Sequence, residues 1–180
     1  ISRVVKRRSS ISIGQFALLI ALTVGMHLLH ELSHALTAVV FGEHGSMGTN
    51  TVRYYNGIGT TALIWVTAAG PIVTVLLALL AFNWRSKLGT SVLFIAFAQR
   101  AMAAGMSLNH ANDEARLSQL LGLGYWTLFA VTVTLTATLF IIRFRERKLG
   151  WKWLVVNWLA FSIGITLMVF ADNVLPRWQF

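Results

Sequence analysis

Apolar residues fall into five long runs along the chain: about Ile11 to Phe41, Thr61 to Phe82, Gly89 to Leu108, Tyr125 to Ile142 and Trp151 to Ala171. A helix needs about twenty such residues to cross the hydrocarbon of a bilayer. The first run is long enough to tilt or to project past the membrane. A stretch rich in glycine and polar residues, Gly42 to about Thr60, separates the first two runs. A polar segment, Asn109 to Gly124, precedes the fourth. This pattern predicts an all-α membrane protein of about five transmembrane helices, with a short hairpin-like loop after the first. Residues 1–180 read as a single integral membrane domain, with no internal repeat.

Composition agrees with that reading. Of 180 residues, 56% are hydrophobic and only 12% charged, and the mean hydropathy is +0.67. A soluble domain of this size needs a polar exterior that this chain cannot supply. The net charge of +9 is carried mostly beside the spans, by Arg3, Lys6, Arg7 and Arg8, by Arg85 and Lys87, and by Arg143, Arg145, Arg147 and Lys148. That is the positive-inside pattern, and it argues against a nucleic-acid-binding face. It predicts a multi-pass protein with a cytoplasmic N-terminus and an outer side carrying only Arg53, Arg116 and Arg177. Trp84, Trp126, Trp151, Trp153 and Trp178 fall near span ends, as interfacial anchors do. The first span is too long and too rich in ionisable groups for a signal peptide, and is expected to be retained.

The chain has no cysteine, so strong metal ligands must be histidines and carboxylates. The first span contains His27-Leu28-Leu29-His30-Glu31-Leu32-Ser33-His34. On a helix, His30 and His34 share one face a turn apart, where two ring nitrogens can bind one zinc. Glu31 is then placed to activate a water on that ion. Ionisable groups inside a span are costly and mark function; hydrogen-bonded histidines in a polar packing seam would explain the residues but not their spacing.

A third ligand must come from elsewhere. Asp113, Glu114, His110, His44 and His27 are the candidates, and Asp113 is preferred because the first and third spans run in the same direction and bring it to the depth of His30 and His34. Asn112 or Asp113 could also cap a short helix running to Leu121. His27 is expected to line the site or support its ligands. Arg100, within the third span, needs a carboxylate, a headgroup or the interface; a structural role is favoured. Asp172 and Asn173 are expected at the interface.

This arrangement resembles the site-2 protease family of intramembrane zinc metalloproteases. The resemblance covers roughly Gly14 to Leu121. It implies a metalloprotease-like core over residues 11–121, with additional transmembrane helices over 122–180. It implies His30, His34 and Asp113 as ligands to one Zn2+ per chain and Glu31 as the catalytic residue. Gly70-Pro71 is similar to the family's Gly-Pro pair in the span after the motif. Gly57-Ile58-Gly59 is similar to its Gly-x-Gly, which there holds substrate as an added strand. Two departures stand out: Glu114 follows the aspartate where the family usually has glycine, and the charge pattern places the site nearer the outer face.

The expected activity is therefore hydrolysis of peptide bonds in membrane-embedded protein or peptide substrates. The rival expectations are a membrane zinc hydrolase acting on lipid amide or ester bonds, and a non-enzymatic metal-binding membrane protein.

Overall fold

The computed structural model describes residues 12–55 and 57–180; Arg3, Lys6, Arg7, Arg8 and Ile11 lie outside the described residues. Six helices follow in order: α1 (Ile13–Val40), α2 (Thr60–Asn83), α3 (Lys87–Met106), α4 (Asp113–Leu120), α5 (Thr127–Glu146) and α6 (Trp151–Val174). Three short strands accompany them: β1 (Gly45–Met47), β2 (Val52–Tyr54) and β3 (Trp178–Gln179). All helices but α4 are long and apolar enough to cross a membrane. At 28 residues, α1 extends about 42 Å at 1.5 Å per residue, well beyond a hydrocarbon core of about 30 Å.

The helix ends follow from local chemistry. Ser12 and Gln15 close a capping box on α1, each side chain taking the other's backbone N–H. Ser86 Oγ accepts from the Gly89 amide and starts α3. At the end of α2, Arg143 donates to the Phe82 carbonyl from Nε at 2.9 Å and Nη2 at 2.6 Å, satisfying an acceptor that the helix leaves open.

Helix α1 packs against α2 and α6, while α3 packs against α2 and α5. The last two spans thus pack directly on the first and third. Lipid is as apolar as leucine, so helices associate in it through close packing and polar contacts, not through the hydrophobic effect. The core is built accordingly. Ala78, Ala81, Ala96 and Ala98 let backbones approach, and Phe94 meets Phe140, Trp153 and Phe161 edge-on. Leu29, Leu36, Leu80 and Phe170 point outward.

The loop after α1 is a hairpin. Strand β1 pairs antiparallel with β2 on one side and with β3 on the other, with Ser46 opposite Arg53 and Gln179. Asp172, near the end of α6, takes its partners from this hairpin. Its carboxylate accepts from the Asn50 amide at 3.0 Å and from Thr51 Oγ1 at 2.9 Å. Arg177 lies 3.4 Å away and donates to the Thr51 carbonyl at 2.7 Å. The hairpin tip is fastened by these bonds to the end of α6. A Cβ at Gly48 would run into Asp172, which explains the glycine. Asn173 remains exposed.

Where α1 meets α6, Gly164 faces Thr23, and a Cβ there would come within 2.8 Å of the threonine side chain. Gly164→Val should therefore cost about 1–3 kcal/mol through overpacking, read as a lower thermal midpoint in detergent micelles. An unchanged midpoint would contradict this packing.

Candidate metal centre

On α1, His30 and His34 turn their rings toward α2, and each ring is held through Nδ1. His34 Nδ1 lies 2.6 Å from the Val66 carbonyl, an acceptor that requires Nδ1 to carry the proton. His30 Nδ1 lies 3.2 Å from Thr74 Oγ1. The Thr74 hydroxyl donates to the Gly70 carbonyl at 3.0 Å, which leaves its oxygen to accept from the ring. Both contacts favour imidazoles with bare Nε2 atoms, the form a metal requires.

The α2 backbone comes this close because residue 70 has no side chain. A Cβ there would collide with both imidazoles. Pro71 follows within the helix, removing one backbone donor from the ladder at the same level.

Asp113, at the start of α4, completes the group. Its Oδ2 lies 3.1 Å from His30 Nε2 and 3.2 Å from His34 Nε2. The two Nε2 atoms are 3.3 Å apart. Three acceptor atoms at such distances repel one another unless a proton or a cation lies among them. His30, His34 and Asp113 are thus brought together as a group that can hold a metal ion.

The alternatives for the third ligand fall elsewhere. Glu114 is wholly buried and pairs with Arg100 at 2.8 Å. Arg100 therefore takes a carboxylate partner within the bundle rather than a headgroup. His110 and His44 are exposed. His27 Nε2 bonds Asn50 Oδ1 at 3.0 Å and stands 3.9 Å from Glu31 Oε1, so it lines the site beside the ligands. Asn112 occupies the N-cap position of α4 without a side-chain cap; its amide instead donates to the Ala103 carbonyl at 2.9 Å.

His30, His34 and Asp113 border a cavity of about 460 Å³. Glu31 and His27 form its α1 wall, Gln99 and Arg100 belong to α3, and Asn50 to Tyr54 supply the hairpin side. Gly57 to Gly59 are not in that wall; they lead from β2 into α2, with Gly57 at φ +76°. Burial first, then the charges of Asp113 and Glu31, push the Tyr54 hydroxyl up. The phenol thus keeps its proton and faces the cavity as a donor.

Sequence reading did not find Thr74, the Val66 carbonyl or the Asn50 contact. Thr74 carried a faint signal, since it lies one turn after Gly70 on the same face of α2. Asn50 carried none.

Purified protein should contain one equivalent of divalent metal by elemental analysis. The metal should be lost in His34→Ala and Asp113→Ala and kept in His110→Ala. Loss only in His34→Ala would show that Asp113 is not a ligand. Gly70→Leu should also lose the metal, since its side chain would occupy the space of the two rings. A comparison with family models, with curated proteins and with solved structures finds no match to this chain.

Proposed function

We propose that this chain is an intramembrane zinc metallopeptidase of the site-2 protease type, cleaving peptide bonds of membrane-embedded substrates. The observation that carries this reading is the convergence of His30, His34 and Asp113 on one point, with Glu31 opening on the same cavity. The donor set suits zinc, being two imidazoles and a carboxylate with no thiolate. Its spacing suits zinc too. A tetrahedral ion with ligands at about 2.0–2.1 Å holds them about 3.3–3.4 Å apart, and the three atoms here lie 3.1–3.3 Å apart.

A zinc ion bound there supplies Lewis-acid polarisation and lowers the pKa of water. The chain's residues do the rest. The Glu31 carboxylate takes a proton from the attacking water and returns one to the leaving amine. His27, fixed by Asn50, borders Glu31. Tyr54 borders the cavity with a phenol that can donate a hydrogen bond to substrate. The bundle shields the reacting groups from bulk water.

A helical carbonyl in a membrane is already hydrogen-bonded, so the substrate must unwind before it is cut. The outer edge of β2 supports this step. Within the described residues β2 pairs only with β1, and its residues Val52 to Tyr54 border the cavity. An unwound segment adding to that edge would satisfy its own backbone while passing the site. On this reading Val52 to Tyr54 hold the substrate, and Gly57 to Gly59 lead from that strand into α2. We place the N-terminus on the cytoplasmic side, which puts the cavity near the outer face.

Glu31→Gln should lower cleavage of a transmembrane peptide by about 10²–10⁴-fold and leave the metal content unchanged. Full cleavage by that variant would overturn the assignment of Glu31. Release of fatty acid from a lipid panel, with no peptide product, would overturn the substrate class.

A further inference from the structure

We propose that Arg100 and Glu114 form a positioning pair that sets the rotation of α4 and so aims the Asp113 carboxylate at the two imidazoles; this rests on the reading of His30, His34 and Asp113 as a metal centre. The pair lies deep in the molecule. Arg100 is 4% exposed and Glu114 1%, and they meet at 2.8 Å. Two charges removed from water gain stability only when the geometry is good and the remaining polar atoms are satisfied. Here they are not. Among the described residues, Arg100 Nε and Glu114 Oε2 have no hydrogen-bond partner. An apolar contact would serve packing at least as well, so stability does not explain the pair.

Its position does. Glu114 follows Asp113 in the first turn of α4, and neighbouring side chains on a helix point about 100° apart. A helix of eight residues buries Glu114, Ala115, Leu117 and Ser118 against α2 and α5, and Glu114 is the buried side chain that carries it to Arg100 on α3. Any rotation of that helix about its axis would swing Asp113 away from His30 and His34. The bond from Arg100 on α3 fixes one side chain of that turn, and Thr132 Oγ1 on α5 donates to the same Glu114 oxygen at 3.3 Å. Arg100 Nη2 also lies 3.3 Å from His30 Nδ1, but with that nitrogen protonated toward Thr74 both atoms are donors and the approach is not a bond. One guanidinium thus ties α4 to α3 at the depth of the metal group. This gives a physical reason for a glutamate directly after the aspartate.

The test is the paired replacement Arg100→Met with Glu114→Leu, which removes both charges and strands neither. Helix content and thermal midpoint of the metal-free protein are expected to hold. Zinc affinity, measured by competition with a chelating dye, should fall about 10–100-fold, the usual effect of losing support behind a ligand. The visible spectrum of the cobalt(II)-loaded protein should change with it. A folded double variant with wild-type zinc affinity and an unaltered cobalt spectrum would overturn the proposal. If that variant does not fold, Arg100→Gln with Glu114→Gln is read by the same two criteria. Wild-type protein that takes up no metal would overturn the centre itself, whereas wild-type uptake matched by the double variant would overturn only the positioning role.

Discussion

Three acceptor atoms crowded together inside an apolar bundle form the constraint on which the rest of this structure turns. Two ring nitrogens and a carboxylate oxygen stand 3.1–3.3 Å apart. In a medium of low dielectric their mutual repulsion is weakly screened, and it is relieved only by a positive charge placed among them. The surroundings hold the three in place. The Val66 carbonyl and the Thr74 hydroxyl fix the two rings from α2, and the missing side chain at Gly70 lets that helix approach. Without that approach the imidazoles would lose their partners, and the reason for their tautomers with them.

The second feature is how far the supports extend from the site. The hairpin that borders the cavity is held by Asp172 and Arg177, more than 120 residues later in the chain. Its turn residue Asn50 holds His27, which stands beside Glu31. The final span and the strand after it therefore act on the cavity through a short series of hydrogen bonds. Helix α6 packs along α1 and α5 along α3. Gly164 brings α6 close to Thr23 on α1, as packing within lipid requires.

Much of this was legible in the sequence, and the reason is physical. Membrane spans announce themselves because a helix of fixed rise must cover a fixed thickness of hydrocarbon. All five predicted spans match helices, with ends shifted by a few residues where caps such as Ser86 decide the boundary. The His30–His34 spacing was legible for the same reason, since helical periodicity turns a sequence interval into a shared face. Asp113 was preferred from its polar cluster, its depth and the family resemblance, with Glu114 left open as the ligand, and the distances favour Asp113. Contacts between distant segments were not legible. Neither periodicity nor composition connects Asp172 to Asn50, or Arg100 to Glu114, because each pair is joined by the path of the chain in three dimensions. Gly57 to Gly59, read from sequence as a substrate-holding Gly-x-Gly, lead from β2 into α2, and the hairpin residues bordering the cavity are Asn50 to Tyr54.

The central claim is that two imidazoles and one carboxylate hold a single zinc ion within the bundle. X-ray absorption at the zinc edge of purified, zinc-loaded protein tests it most directly. The account predicts a first shell of about four nitrogen and oxygen atoms near 2.0–2.1 Å, with the outer-shell scattering of two imidazole rings. A six-coordinate shell of oxygen alone, without imidazole scattering, would contradict it.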